Sequence, residues 1–377
     1  MKKTASVVKT IALVCLMMLL TPQAAHAWKK GGLRLRGRAQ LRWVVEKEIE
    51  TVVSESELGE ITDVWREETG DWVDYFQLRR ARFDGRWKPA DWIRLMLEME
   101  VTDRVESRDI YVRMDLHPLL RVTAGQFKKP FSRLKMESPF NLVIPERGLL
   151  NRFAVANTYY GGFGGRDLGL MFSGTWDGPV RLRYYLGAFN NPLDEDEYHR
   201  DYVARLQVRV IKGLVIAVSA SHKLYDEEFS EPGYLDYRVI PRTGNMFGAD
   251  IRWTLGDFRL DIEGAIGDNT NSDDQKLDRN SFPVVSNAYR STMYGVHATA
   301  SYRLKIGELL LLTPAFMAEV FDPGDVEGTD AVIRLAGAVN ADIGDNVRVV
   351  LSAEGLLDKA DKYDIPTNIF VQLGVAF

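Results

Sequence analysis

The chain has 377 residues, 46% of them hydrophobic, and 48 Lys and Arg stand against 53 Asp and Glu for a formal net charge of −5. That acidic balance argues against nucleic acid as a partner, and a single cysteine, Cys15, excludes a framework of internal disulfides. Beyond the N-terminus, no apolar run is long enough for a membrane helix.

The N-terminus begins Met1-Lys2-Lys3, passes Lys9, and runs through apolar Ile11 to Leu20 before Ala25-His26-Ala27. This is the layout of a secretory signal peptide cleaved before Trp28, so 1–27 is expected to leave and 28–377 to form one domain. Val14 precedes Cys15 where a lipoprotein site would carry Gly or Ala.

Next comes a strict alternation. Leu33, Leu35, Ala39, Leu41 and Trp43 share one face, and Arg34, Arg36, Arg38, Gln40 and Arg42 share the other. A period of two predicts a strand with one apolar and one cationic face. The pattern recurs near 74–87, 91–103, 108–117, 119–129, 166–177, 179–190, 200–212, 214–225, 244–254, 257–268, 290–305, 308–321, 330–343, 346–357 and 366–377. With the first, this makes sixteen strands, each long enough for a tilted crossing of a bilayer. In 91–103, for example, Ile93, Leu95, Leu97 and Met99 oppose Arg94, Met96, Glu98 and Glu100.

Connections alternate in length. Tight ones fall at Lys88-Pro89-Ala90, His117-Pro118, Asp177-Gly178-Pro179, Lys212-Gly213, Leu255-Gly256, Ile306-Gly307 and Gly344-Asp345. The others, 44–73, 130–165, 191–199, 226–243, 269–289, 322–329 and 358–365, are long and polar, with 104–107 the short exception. The expected fold is all-β: a 16-stranded antiparallel transmembrane β-barrel with short periplasmic turns and long extracellular loops. In lipid every backbone polar group needs a partner, so the sheet must close. Trp87, Trp92, Trp176 and Trp253 sit beside tight turns, and Trp43 and Trp72 flank the first long connection, as two interfacial girdles require. A parity change near Leu78 to Arg80 predicts a bulge, and Pro314 predicts another. The last strand ends in Phe377, resembling the signal read by outer-membrane assembly machinery.

Thr123-Ala124-Gly125-Gln126-Phe127-Lys128-Lys129-Pro130-Phe131-Ser132 resembles the hallmark stretch of the phosphate-selective porin O/P family. Ile144-Pro145-Glu146-Arg147, Arg166-Asp167-Leu168-Gly169 and Tyr185-Leu186-Gly187-Ala188-Phe189-Asn190 add to the likeness. The resemblance implies a homotrimeric Gram-negative outer-membrane porin with an inward-folded third loop, and lumenal Arg and Lys guiding small anions to a constriction.

On the predicted lumenal faces lie Arg34, Arg36, Arg38, Arg42, Arg113, Arg121, Arg181, Arg183, Arg205, Arg209, Arg252, Arg259, Arg303, Arg334 and Arg348. Guanidinium stays charged and offers a fork that matches phosphate or carboxylate oxygens. Lys128 and Lys129 at the entrance of 130–165, with Arg133 and Lys135 inside it, are the constriction candidates. Two roles stay open for the arginines, because Glu98, Glu100, Asp115, Asp250, Asp261, Glu263 and Glu354 share those faces. The two are guiding anions and bracing the wall, and Glu137 and Glu146 in the loop dilute a strict phosphate preference.

Acidic runs such as Asp194-Glu195-Asp196-Glu197 and Asp273-Asp274 read as solvated loop charge, with cation bridges to lipopolysaccharide as the other reading. Gly161-Gly162-Phe163-Gly164-Gly165 lacks the Lys-Ser/Thr of a phosphate cradle and reads as a loop exit. Nothing matches a hydrolase or metalloprotease motif, so no enzyme, metal or cofactor is expected. The reading is an anion porin; the alternatives are a non-selective porin or a structural or adhesive barrel with a plugged lumen.

Overall fold

A computed structural model describes residues 28–30, 32–55, 61–102, 104–155, 162–190, 200–229, 238–269, 291–324, 331–357 and 367–377. The expected signal peptide and the acidic runs 194–197 and 273–274 lie outside the described residues. Its strands are β1 (Trp28–Lys30), β2 (Leu33–Glu55), β3 (Ile61–Ala90), β4 (Ile93–Val101), β5 (Val105–His117), β6 (Leu120–Lys128), β7 (Arg166–Asp177), β8 (Arg181–Asn190) and β9 (Arg200–Ile211). There follow β10 (Leu214–Phe229), β11 (Arg238–Leu255), β12 (Phe258–Asp268), β13 (Thr292–Tyr302), β14 (Leu304–Ile306), β15 (Leu310–Asp322), β16 (Val332–Ile343), β17 (Val347–Leu356) and β18 (Asn368–Ala376).

Neighbours in sequence pair antiparallel, and β18 pairs β2 from Asn368 opposite Glu46 to Ala376 opposite Arg38. The sheet therefore has no free edge. β1 folds back on the foot of β2, and β14 resumes β13 along the same partner, β15. The result is a closed barrel of sixteen staves, as the alternation predicts.

The two faces separate as expected. In β4, Met96, Glu98 and Glu100 are buried while Leu97 and Met99 are exposed. In β9, Asp201, Val203 and Arg205 are buried while Tyr202 and Leu206 are exposed. Trp43 and Trp72 stand exposed at the long-loop end, and Trp87, Trp92, Trp176 and Trp253 at the tight-turn end. The C-terminus completes the seam: Phe377 and Gly37 exchange backbone hydrogen bonds of 2.8 and 2.9 Å. The Phe377 ring lies where a Cβ on residue 37 would stand, and meets Phe83 edge-on at 6.4 Å.

Three local expectations change. The segments 44–73 and 226–243 are not open loops, because β2 and β3 stay paired out to Glu55 and Ile61, and β10 and β11 out to Phe229 and Arg238. In each, the described residues continue the paired ladder beyond the expected strand ends. At Pro314 there is no bulge: β15 and β16 keep one register through it. Instead β13 stops pairing at Ser301 and β14 resumes at Leu304, so the residue without an N–H faces a gap in the ladder.

The connection between β6 and β7 does not span the mouth. It enters the barrel and folds there as a short helix α1 (Arg133–Met136), a 3₁₀ turn at Pro139–Asn141 and a π-helical turn at Leu150–Val155. Phe131, Leu149, Leu150, Ala154, Val155 and Phe163 pack against the inward side chains Phe189, Val203, Met246, Met293, Phe321 and Val332. Burying a Phe or Leu side chain contributes roughly 1.5–3 kcal/mol, so this cluster holds the loop firmly against the wall of β8–β16. The other half of the lumen, beside β2–β7, is polar.

Candidate functional site

The polar half begins with a bulge. Gln40 faces Arg80 while Leu41 faces Leu78, leaving Arg79 as the extra residue in β3. A bulge turns two successive side chains from strict alternation. Arg79 reaches the loop, and Arg80 is buried against Gln40 at 3.3 Å. Two residues on, Arg82 is buried between Glu98 and Glu100.

The loop is fastened to the wall by charge-assisted bonds. Ser132 caps α1 by accepting from Lys135 N at 3.0 Å. Glu263 accepts from Leu134 N at 2.9 Å, and Glu319 accepts from Leu149 N and Leu150 N at 2.7 and 2.8 Å. Arg133 donates to Asp250 through Nε at 2.6 Å. Arg205 and Ser219 both donate to Phe131 O, and Arg348 donates to Phe140 O at 2.9 Å. A loop held at this many points is a fixed wall of the lumen.

On this side of the lumen Arg108 pairs with Glu100 at 3.1 Å and Arg166 with Asp109 at 2.6 Å, while other cations meet carbonyls instead. Lys128 Nζ donates to the carbonyls of Met136 and Glu137 at 3.2 and 3.1 Å. Arg147 donates to those of Leu134 and Glu137 at 2.9 and 2.7 Å. Carbonyls take up hydrogen bonds without cancelling charge. Lys135 meets no carboxylate among the described residues; burial, then Arg147 and Arg166, pull its pKa down to about 7. Glu146 is the acid that the loop itself brings to the bulge. Arg79 donates to both of its oxygens at 3.1 and 3.2 Å, and Arg42 adds a contact of 2.9 Å. Burial pushes its pKa up, but Arg79, Arg42 and Arg80 hold it well below the usual carboxylate range.

The sequence-predicted residues divide. Lys128 and Lys135 both lie at the inward loop, within reach of the charges of Arg147 and Arg166. Lys129 differs: it is buried, paired with Asp167 at 3.1 Å and with Asp201. Arg133 fastens the loop, and Arg205 lies beneath it, 2.5 Å from Asp250. Arg36 and Arg38 pair with Asp84, and Arg38 also with Glu98 at 2.9 Å and with the Phe140 ring at 4.6 Å. Arg113 and Arg121 share Asp115 with Arg94, and Arg181 pairs with Asp177. Arg183 reaches Thr175 and Tyr185. Arg34 and Arg209, both exposed, meet no carboxylate among the described residues. At the tight-turn end three arginine pairs face each other directly across strands: Arg34 and Arg86, Arg94 and Arg113, and Arg181 and Arg209. Like charges in that arrangement oppose pairing, and their joint field is positive.

The sequence reading assigns no site role to Arg79, Arg80, Arg82, Arg108, Arg147 or Arg166, although Arg147 and Arg166 fall in segments that carry the family likeness. The available signal was the parity change at Leu78 to Arg80, which marks the bulge but not where its arginines point.

No protein-family model matches the chain, and no curated protein matches it. Solved structures do. The anion-selective porin from Comamonas acidovorans is 12% identical over 92% of this chain and 99% of that one, with a TM-score of 0.55. The outer membrane channel DcaP of Acinetobacter baumannii is 10% identical over 93% and 99%, at 0.52. OmpT of Vibrio cholerae, described as outer-membrane expressed, is 11% identical over 93% and 100%, at 0.51. At these identities the likeness establishes the fold, a porin-type barrel, along essentially the whole length.

Proposed function

We propose that the chain is a Gram-negative outer-membrane porin, and not an enzyme, that lets small anions diffuse passively along lumenal arginines and lysines. Phosphate and polyphosphate are the anions that the likeness to the O/P family suggests. One observation carries the reading: Lys128, Lys135 and Arg147 stand at the inward loop with no ion-paired carboxylate among the described residues. Charged rings at a constriction set selectivity in a water-filled pore, and low-dielectric walls focus their field. The expected assembly is a homotrimer in lipid and lipopolysaccharide, inserted by the assembly machinery through Phe377.

Purified protein in a planar bilayer should open in steps of three and pass chloride better than potassium. Reversing Lys128 and Lys129 to Glu should lower anion current and weaken block by phosphate. The two positions separate the mechanisms, since Lys128 has no ion-paired carboxylate among the described residues whereas Lys129 is ion-paired with Asp167 and Asp201. Cation preference in the parent removes the anion reading, and absence of block removes phosphate specificity. The apolar loop core inside the lumen favours a second reading, a plugged structural or adhesive barrel; a silent bilayer together with loss of surface binding on shortening hairpin 44–73 would establish it.

A further inference from the structure

Glu146 sits on the loop, yet its carboxylate is held as a bound ligand would be. Arg79 presents Nε and Nη2 to its two oxygens at 3.1 and 3.2 Å, the parallel fork of a bidentate pair. Arg42 adds a third contact at 2.9 Å. Arg42 is itself fixed, stacked over Phe370 at 3.9 Å and bonded to Gln372 at 2.7 Å. Arg80 lies alongside with Gln40 as its hydrogen-bond partner. Three guanidinium groups thus surround one carboxylate, leaving two positive charges in excess. Both Arg79 and Glu146 remain partly open to the lumen, at 33% and 26% side-chain exposure, so an arriving anion can reach the pair.

We propose that Arg42, Arg79 and Arg80 form a seat for small carboxylate anions, and that Glu146 is its tethered occupant, exchanging places with each carboxylate that passes. The proposal rests on the lumen being an anion path. Its physical logic concerns release. Conduction requires a site favourable enough to enter and weak enough to leave. Three converging guanidiniums would hold a carboxylate for long times, whereas an attached competitor at high effective concentration returns to the seat and expels it. The seat suits a planar group with two oxygens, which is how Glu146 uses it; a tetrahedral oxyanion matches the same fork with only one of its edges.

The test is Glu146→Gln, which keeps shape and removes the competing charge. In a bilayer carrying chloride, succinate should block the variant at about tenfold or more lower concentration than the parent, with longer blocked intervals. Glu146→Asp, which keeps the charge on a shorter arm, should lie between them. Adding Arg79→Gln to Glu146→Gln should abolish the gain. Calorimetric titration of the detergent-solubilised protein with succinate reads the same seat without current. An equal block midpoint in parent and Glu146→Gln, with a folded variant, overturns the proposal while leaving the porin reading intact. Tighter succinate binding by calorimetry in a protein that passes no current does the reverse. A larger gain for inorganic phosphate than for succinate would overturn the carboxylate class.

Discussion

Glu319→Ala is the sharpest probe of whether the inward loop is a fixed wall. Glu319 is 1% exposed and accepts from Leu149 N and Leu150 N, the residue before the π-helical turn and the first within it. Its carboxylate also fills the space beside Gly148, whose φ of 77° and missing Cβ allow the backbone to approach so closely. Arg334 retains Glu354 when Glu319 is removed, so the variant does not strand that cation. What is lost is two charge-assisted bonds to buried amides. At about 1.5–3 kcal/mol each, their removal weakens docking by roughly 3–6 kcal/mol. Amide exchange at Leu149 and Leu150, followed by mass spectrometry on protein in lipid discs, should accelerate by about a hundred- to ten-thousand-fold if exchange proceeds through undocking. Amides of β16 and β17 should keep their protection, because the ladder itself is untouched. Acceleration below about tenfold, or an equal change in the strands, would refute the claim that these bonds hold the loop.

Three further outcomes follow from the same geometry. Lys135, lowered to about 7, gains its proton as pH falls through that value, so chloride-over-potassium preference measured by reversal potential should rise between about pH 8 and 6, and Lys135→Met should flatten the curve. The sign for stability is opposite: the docked loop binds fewer protons than the undocked one, so docking should weaken as pH falls from about 10 to 7. Deleting Arg79 should restore strict alternation in β3 and yield a folded barrel with lower anion preference, because the guanidinium that grips Glu146 is gone. Phe377→Ala should uncover Gly37 at the seam and reduce the heat-resistant folded fraction on denaturing gels, whereas Gly37→Leu should do so by colliding with the Phe377 ring.

The barrel was readable because lipid and lumen impose opposite demands on every second residue, and a strand such as Ile93–Val101 cannot meet them in any other register. The extensions of β2–β3 and β10–β11 were not, since 44–73 and 226–243 carry no sustained apolar–polar alternation. Lys128 and Lys129 show a different limit. They are identical neighbours in sequence, yet Lys128 bonds to carbonyls of the inward loop while Lys129 meets Asp167 and Asp201, partners brought close by the β6–β7, β7–β8 and β8–β9 ladders. Arg79 shows a third: the parity break announced an inserted residue, but its target, Glu146, lies 67 positions away.

The loop's apolar packing inside the barrel separates two demands that a pore must satisfy. The outer band and the closing seam form the cylinder itself, while the bore depends on the inward loop, whose Phe131, Leu149, Leu150, Ala154, Val155 and Phe163 are packed against the strands from within. Substitutions in that segment can redraw the cross-section offered to a solute while the bilayer continues to see the same cylinder.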